Sequence, residues 1–427
     1  MATPLPLDPD ARPLGLRGLY RDVREQTRAL ATGLSDADAT AQSMPDASPT
    51  KWHLAHTSWF FEELVLCARD AAYRAFDPRY SFLFNSYYEA VGARHARPKR
   101  GLLTRPALDE INRYRDHVDQ AMDELLERAG AAADPAVRML VELGCQHEQQ
   151  HQELLLTDIL HLFAQNPLHP AYAPARRTQR PAVPHPPLTY TVYGGGICET
   201  GHAGDGFAFD CEGPRHRVML TPFALANRCV TNREWQEFIA DGGYRRPLLW
   251  LSDGWAQVQE QGWTMPLYWW EQGGAYYSMT LHGAQPLEPD AAVTHVSLFE
   301  ADAYATWAGK RLPTEFEWEC AAQLQPCAGN FLSSGLLCAA PAGPGAGPQQ
   351  LFGDVWEWTR SAFGPYPGYR PWAGAIGEYN GKFMSGQYVL RGGSCVTPAG
   401  HMRATYRNFF RPDTRWQFAG VRLAQDA

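Results

Sequence analysis

Hydrophobic residues follow a helical pattern in the first part of the chain, and this pattern ends near residue 166. Apolar positions recur every three or four residues in four stretches, which is the spacing of one buried helix face. These stretches predict helices at 14–34, 51–68, 108–128 and 135–163. Successive helices of this length predict a four-helix bundle.

The remainder of the chain has a different pattern. Residues 166–188 are rich in proline and arginine and predict an extended linker. From 189 onward, short strands, glycine clusters and many tryptophans predict frequent turns and little regular structure, with one helix at 300–308. The chain is therefore predicted to be a multidomain α+β protein, with a helical bundle at 1–165 and a second domain at 189–427.

Composition excludes some classes of function. The net charge of -8 and the pI near 6.0 argue against nucleic acid as the main partner. No run of 18 apolar residues predicts a membrane span, and the first twelve residues lack the apolar core of a secretory signal, so we expect a cytoplasmic protein. The nine cysteines form no CxxC pair, which argues against a cysteine-based zinc site.

The fourth predicted helix contains the sequence HEQQH at 147–151. His147 and His151 are one helical turn apart and share a face, as two ligands of one metal ion do. Gln150 faces the same side, whereas Glu148 is rotated about 100° away from His147. The spacing therefore predicts a metal site with Gln150 beside it.

A third ligand is expected from the second predicted helix, which carries His53 and His56. A histidine on an apolar helix face is more often a core residue, but a histidine pair on each of two helices favours a metal. Three neutral imidazoles suit catalytic zinc or iron, and spacing does not choose between them.

Two other classes of function remain open at this stage. HExxH is also the signature of zinc hydrolases, in which the glutamate is the base and a further ligand lies downstream. No HxxGxxH extension follows here, which weakens the protease interpretation. The other alternative is a binding module without catalysis, with a structural bundle and a lectin-like second domain.

Sequence motifs show which family each half of the chain resembles. The bundle resembles the DinB type with its HxxxHxE motif, and residues 189–427 resemble the formylglycine-generating-enzyme family, with a C-type-lectin-like fold. The stretches that carry the second resemblance are Gly194-Gly195-Gly196, Pro214-Arg215-His216, Val230-Thr231-Asn232, Arg311-Leu312-Pro313-Thr314-Glu315, Glu317-Trp318-Glu319, Gly353-Asp354-Val355-Trp356-Glu357-Trp358, Arg391-Gly392-Gly393-Ser394 and Gly420-Val421-Arg422. Joined in this order, the two halves resemble the ergothioneine-type sulfoxide synthases over nearly the whole chain.

This resemblance implies a non-heme Fe(II) oxygenase. Such enzymes use O2 to join a thiol to the imidazole C2 of hercynine (trimethylated histidine), and they oxidise the sulfur to a sulfoxide. The implied partners are small molecules: hercynine with cysteine or γ-glutamylcysteine, or with a selenosugar in the selenoneine branch. The implied iron ligands are His56, His147 and His151, and His53 receives no role.

The resemblance also implies how hercynine is held. Gln150 matches a contact to the substrate imidazole. Asn408, Phe409 and Phe410 match the strand that holds the ammonium and carboxylate groups. Aromatic rings attract a quaternary ammonium by about 0.5–2 kcal/mol per contact.

The long loop at 76–105 supplies the remaining expectations, since loops of this length in compact domains are usually functional. Tyr87 and Tyr88 match tyrosines that act as the general acid in one subgroup, although two loop aromatics packed at an interface remain the alternative. Arg97, with Arg94 beside it, matches the clamp for the thiol carboxylate. Arg100 is expected to be a solvated residue of a basic loop.

Cysteines distinguish the possible branches. Cys395 has no second cysteine after it, which argues against the sulfatase-maturing activity of the formylglycine-generating enzymes. Cys198 and Cys211 flank a predicted hairpin-like excursion that would bring them close together, and such a pair would handle a thiol or a selenol or would simply pack. Thiol chemistry is favoured, with the selenium version as the alternative.

Overall fold

The computed structural model describes residues 15–128, 134–174, 186–345 and 347–427, which separate into two compact units. Unit 1 comprises Met1–Pro167 together with Trp372–Tyr379. We call Trp372–Tyr379 the strap. Unit 2 comprises Leu168–Pro371 and Asn380–Ala427.

Unit 1 is a helical bundle, as predicted. The helices are α1 (Leu16–Ala31), α2 (Asp36–Thr40), α3 (Thr50–Phe61), α4 (Cys67–Arg69), α5 (Tyr80–Leu83), α6 (Leu108–Glu127) and α7 (Pro135–Ala164). Helix α1 packs against α7, and α3 packs against both α6 and α7. A π-helical turn, Glu62–Leu66, continues α3 into α4.

Local sequence determines how α7 begins and how closely it approaches α3. The Asp134 side chain accepts a hydrogen bond from the backbone N–H of Ala136, and Pro135 occupies the first helical position. Gly144 lies against α3, where a Cβ atom would come within 2.4 Å of Phe61 Cε1. The missing side chain therefore allows the close packing that brings the histidines of the two helices together.

Three side chains on one face of α3 hold the long loop in place. Trp52 Nε1 donates to the carbonyl of Leu83 at 3.4 Å, and Trp59 Nε1 donates to that of Ser81 at 3.1 Å. His56, between them on the same face, binds the next carbonyl of the loop, as described below. The loop at 76–105 is thus bound to the helix that carries the third histidine, and it contains α5 and a 3-10 turn at Arg97–Leu102.

Unit 2 consists of short strands and helices, in agreement with the predicted α+β character. The strands are β1 (Tyr190–Tyr193), β2 (Gly196–Thr200), β3 (His216–Leu220), β4 (Phe223–Ala226), β5 (Trp269–Gln272), β6 (Ala275–Thr280), β7 (Gly283–Pro286), β8 (Trp356–Ala362), β9 (Tyr388–Arg391), β10 (Asn408–Phe410), β11 (Ala419–Gly420) and β12 (Ala424–Asp426). They form sheets in the orders β1-β4-β12, β10-β9-β8-β11, β2-β3 and β5-β6-β7.

The helices of unit 2 are α8 (Asn232–Ala240), α9 (Ser252–Gln261), α10 (Leu298–Trp307) and α11 (Glu315–Ala322). Helices α8, α10 and α11 each begin with a capping box, in which a Ser or Thr and a Glu three residues later satisfy each other's backbone N–H groups. Only α10 was predicted, at 300–308. For α8 and α11 the S/T-x-x-E start was the available signal, whereas α9 begins after Leu251 without a capping side chain.

The family motifs of unit 2 form its buried ionic core. Arg391, fully buried, donates to Glu315 and Glu319 at 2.9 Å each. Arg422, also fully buried, donates to Glu357 at 2.6 Å. Buried charges require such pairing. These motif residues therefore hold the fold together. No helix among the described residues is both long and apolar enough to cross a membrane.

Candidate metal centre

Three histidines of unit 1 converge in its interior. His56 comes from α3, and His147 and His151 come from α7. Their ligand atoms lie within 4.8 Å of one another, and the side chains are 0%, 2% and 9% exposed. The structure thus brings together the three residues that the sequence predicted as ligands.

The nitrogen atoms of this cluster fit a metal ion. His56 Nδ1 lies 2.6 Å from the carbonyl oxygen of Phe84, which can only accept, so Nδ1 carries the proton and Nε2 keeps its lone pair. His56 Nε2 and both ring nitrogens of His147 are buried and have no hydrogen-bond partner among the residues that the structure describes. Buried polar atoms are rarely left unpaired. A metal ion bound by these lone pairs would satisfy them.

Burial also keeps the three imidazoles neutral. Desolvation lowers the pKa of His147 to about 3. Desolvation, followed by the neighbouring His147, lowers the pKa of His56 and of His151 well below the ordinary value. Metal ions bind the neutral imidazole, so the cluster is in the ligating state at neutral pH.

Glu148 does not face the cluster. It is fully buried between Arg24, whose Nη1 donates to Oε2 at 2.9 Å, and Arg115, whose Nη2 donates to Oε1 at 2.9 Å. Burial opposes its ionisation, but the two guanidinium groups hold the pKa of Glu148 below its ordinary value. A carboxylate held in this way joins helices α1, α6 and α7, and it is not positioned as the base that a zinc hydrolase requires.

Gln150 and the strap provide polar groups next to the cluster. The hydroxyl of Tyr379, the last residue of the strap, donates to Gln150 Oε1. The Tyr379 ring lies edge-on to His147, with 5.7 Å between ring centroids. Sequence analysis predicted Gln150 here but missed Tyr379, because no local pattern connects it to the helical motif far upstream.

The predicted tyrosine pair lies beside these residues. Tyr87 is half-buried, with its ring centroid 6.2 Å from that of Tyr379 and 4.7 Å from that of Tyr88. Tyr88 is fully buried, and its ring lies 5.5 Å from Trp59. Desolvation raises the pKa of Tyr88. Tyr88 therefore packs in the interior, and Tyr87 is the one that contacts Tyr379.

The arginines of the long loop differ from one another in exposure. Arg94 and Arg97 are exposed, and they bind Glu89 and the carbonyl of Asp46 respectively. Arg100, expected to be solvated, is only 3% exposed. Its guanidinium lies 3.3 Å from the ring centroid of Trp52. The expectation for Arg100 was wrong because its long side chain turns inward and stacks on an aromatic ring of α3.

Trp52 connects Arg100 to the metal cluster. Its ring stacks on that of His56, with centroids 4.6 Å apart and planes 15° from parallel. Arg100 donates to the hydroxyl groups of Ser48 and Ser86, at 2.9 and 3.3 Å, and forms no ion pair among the residues that the structure describes. Among the described residues no carboxylate therefore binds Arg100 directly, and Asp158 acts on it only through its charge.

The residues predicted to hold hercynine in the second domain lie on and around β10. Asn408 pairs with Leu390 of β9, and its Oδ1 accepts from the backbone N–H of Phe409 at 2.9 Å. Phe409 stacks on Phe363, with ring centroids 4.1 Å apart. Phe410 lies 6.4 Å from Trp416. All three residues of the strand are half-buried, and their role stays a prediction.

The structure gives Cys198 a partner other than the predicted Cys211. Cys198 lies on β2, and its sulfur is 3.4 Å from that of Cys320 on α11. Cys211 is buried in the turn that follows the excursion, where Arg407 donates to its carbonyl at 2.9 Å. The predicted hairpin forms from β2 and β3. In this pair of strands, Cys198 lies opposite Val218.

Comparison with known proteins shows the same two-part organisation. Residues 19–155 match the DinB superfamily, and residues 177–334 and 344–427 match the sulfatase-modifying factor enzyme 1-like domain. The hercynine oxygenase of Mycolicibacterium thermoresistibile is 36% identical over 95% of this chain and 93% of its own length. That of Mycobacterium tuberculosis is 33% identical over 95% of this chain and 97% of its own.

A more distant relative supports the same family. The ergothioneine biosynthesis protein 1 of Schizosaccharomyces pombe is 26% identical over 52% of this chain and 28% of its own length. The coverage of the mycobacterial relatives includes both parts of the chain. These matches confirm the family predicted from the motifs: the chain belongs to the hercynine oxygenases, the ergothioneine-type sulfoxide synthases.

Proposed function

We propose that this protein is an Fe(II)- and O2-dependent enzyme that joins a thiol to the imidazole C2 of hercynine and forms a sulfoxide. The observation that carries the proposal is the buried three-histidine cluster in a chain whose relatives are named hercynine oxygenases. Three imidazoles leave coordination positions open for small molecules. Iron held by His56, His147 and His151 supplies the chemistry of O2 and thiol activation.

Gln150 and Tyr379 are proposed to act on the acceptor substrate. The amide of Gln150 lies on the ligand face of α7 and is within hydrogen-bond reach of the Tyr379 hydroxyl. An amide can both donate to and accept from an imidazole ring. In the proposal, Gln150 orients the imidazole of hercynine, and Tyr379 holds a proton beside it as the general acid. Tyr87 contacts Tyr379 and is proposed to assist it. The ring of Tyr88 stacks on that of Tyr87 and is proposed to hold it in place.

Arg100 is proposed to anchor the anionic group of the sulfur donor. A buried guanidinium without a carboxylate partner is costly, and a bound carboxylate would neutralise it through paired hydrogen bonds. Its stacking on Trp52, next to His56, is compatible with a donor that reaches the metal. Arg94 and Arg97 remain candidates for guiding the same donor from the exposed part of the loop.

The remaining substrate contacts are proposed from the resemblance. Asn408 would hydrogen-bond the carboxylate of hercynine, and Phe409 and Phe410 would face its trimethylammonium group. The thiol reaction, with cysteine or γ-glutamylcysteine, and the selenium alternative differ only in the donor that is joined to hercynine. The sulfur of Cys198 contacts that of Cys320, so the predicted pairing of Cys198 with Cys211 gives the selenium version no support.

The function is tested with metal analysis, an oxygen electrode and product mass spectrometry. The purified protein is supplied with hercynine and, in parallel, with cysteine, γ-glutamylcysteine or a selenosugar. We expect bound iron, O2 uptake that requires hercynine and one donor, and a product in which that donor is joined to the imidazole. His147→Ala should lose both iron and turnover. Bound zinc without O2 uptake would instead favour a hydrolase.

The role of Tyr379 is tested by Tyr379→Phe, and Tyr87→Phe tests in parallel whether the hydroxyl of the neighbouring ring assists it. General acid catalysis contributes about 10²–10⁴-fold, so we expect Tyr379→Phe to lower sulfoxide formation by at least tenfold. Iron content should not change, and oxidation of the thiol alone should continue. Full sulfoxide yield in Tyr379→Phe would assign this tyrosine a packing role.

A further inference from the structure

His53 makes two hydrogen bonds with groups on α7. It lies on α3 one turn before His56 and is 2% exposed. Its Nδ1 is 2.8 Å from Nδ1 of His151, and its Nε2 is 3.0 Å from Oδ2 of Asp158. Asp158 is itself 7% exposed, and its Oδ2 also accepts the backbone N–H of Ser48 at 2.8 Å.

The chemistry of these groups assigns the protons along the chain. The Asp158 carboxylate can only accept, so Nε2 of His53 carries a hydrogen and donates it. With His53 in its neutral form, Nδ1 is bare and accepts. The contact of 2.8 Å to His151 requires a hydrogen between the two nitrogens, and that hydrogen lies on Nδ1 of His151. The lone pair of His151 is therefore on Nε2, the nitrogen left for the cluster.

We propose that Asp158 and His53 form a positioning relay that fixes the tautomer and ring orientation of His151 for metal binding. This inference rests on the proposed function, because it treats His151 as a ligand. Ligating histidines commonly donate their second N–H to a carboxylate, a carbonyl or water. Here a second histidine stands between the ligand and the carboxylate.

The three ligands differ in how they are held. The main chain fixes His56 through the carbonyl of Phe84, and neither ring nitrogen of His147 has a hydrogen-bond partner within the described part of the chain. The ring of His151 is instead held through other side chains. Because His53 belongs to α3 and Asp158 to α7, the relay also links the two helices that provide the ligands. Its loss should therefore weaken metal binding without removing a ligand.

The relay is tested in the full-length protein with two pairs of variants. His53→Phe keeps a ring of similar size without an acceptor, whereas the Oδ1 of His53→Asn stands where Nδ1 was and can accept. Asp158→Leu removes the acceptor, and Asp158→Asn keeps an oxygen for Ser48 and His53. Fe(II) affinity is measured anaerobically by competition with a chromophoric chelator. Thermal unfolding of each metal-free variant checks that the fold is retained.

We expect His53→Phe and Asp158→Leu to bind Fe(II) about 10–100-fold more weakly, the usual effect of losing an outer-shell partner. His53→Asn and Asp158→Asn should recover most of that loss. Equal Fe(II) affinity in all four variants and the wild type would overturn the relay. A merely structural role would lower thermal stability in the Phe and Leu variants without this ordering of affinities.

A second readout does not depend on bound metal. The ¹⁵N spectrum of the metal-free protein distinguishes the two tautomers of a histidine ring. We expect His151 as the Nδ1–H tautomer in the wild type and a mixture in His53→Phe. His151 with its hydrogen on Nε2 in the wild type would overturn the relay. If the wild type binds no Fe(II), the proposed function fails, and these spectra still test the tautomer assignment.

Discussion

Replacing Glu148 with glutamine separates two explanations of the HEQQH sequence. In a zinc hydrolase this change would abolish activity and leave the fold intact. In the structure, Glu148 is fully buried and binds Arg24 and Arg115, so the change should mainly lower stability. Glutamine keeps one acceptor oxygen but places an NH2 group against the other guanidinium.

The size of the effect follows from these contacts. Glu148→Gln loses one charge-assisted hydrogen bond, worth about 1.5–3 kcal/mol. It also leaves one buried positive charge without its partner, although Asp119 still binds Arg24 at 2.6 Å. Breaking a buried ion pair costs about 3–5 kcal/mol, so we expect a loss near 3 kcal/mol. For the unfolding of a unit the size of unit 1, that corresponds to about 6–12 °C in Tm.

The assay is urea denaturation followed by circular dichroism. The control is Glu142→Gln on the same helix, which removes an ion pair to Arg138 whose side chain is 64% exposed. Exposed pairs contribute about 0–1 kcal/mol, so the control should unfold nearly as the wild type does. Folded Glu148→Gln should still bind the metal. Wild-type stability together with lost turnover would refute the structural explanation and restore Glu148 as a base.

Acid weakens the same interaction. The folded-state pKa of Glu148 lies below its ordinary value of 4.5. Its contribution is therefore fully present above the unfolded pKa and is lost as the pH falls through the folded pKa. The stability difference between the wild type and Glu148→Gln should be constant near neutral pH and should shrink below about pH 4. A difference that grows on acidification would contradict this sign.

Two further predictions concern packing and the cysteines. Gly144→Ala should destabilise the bundle by about 1–3 kcal/mol through overpacking against Phe61, despite the better helix propensity of alanine; urea denaturation measures this, and a stabilised variant would contradict the close approach. A mild disulfide oxidant should crosslink Cys198 to Cys320, whose sulfur atoms are 3.4 Å apart, and leave buried Cys211 reduced. Peptide mapping that finds a Cys198–Cys211 link instead would contradict the contact between Cys198 and Cys320.

The bundle could be predicted because its signal is local and periodic. The predicted helix at 108–128 appears as Leu108–Glu127, and that at 135–163 appears as Pro135–Ala164. The fold of unit 2 could not be derived in this way. Its strands are three to seven residues long in most cases, too short for periodicity to register, and its motif residues are buried Arg–Glu pairs between distant segments. Only the family resemblance identified it.

The site divides along the same line. The convergence of His147, His151 and Gln150 follows from helix geometry alone. The sequence did not assign His53 to a relay, because its partner Asp158 is on another helix and outside the HEQQH motif. Nor did it predict Tyr379, which lies in the strap and joins unit 1 from a distant part of the sequence. Contacts between residues that are distant in sequence are known only once the fold is known. The local pattern of a single sequence does not show them.

The spelling HEQQH itself follows from the position of α7 between two neighbouring helices. His147 and His151 face α3, where His56 completes the cluster. Glu148 and the residue one turn later, Gln152, face α1, where Gln152 Nε2 donates to the carbonyl of Val23 at 2.9 Å. A rotation of about 100° per residue separates the two faces. A zinc hydrolase needs its glutamate near the metal face, whereas in this bundle the adjacent position is used for helix packing. The HEQQH segment therefore has two separate roles: its histidines form the metal cluster on one face of α7, and Glu148 forms buried ion pairs on another.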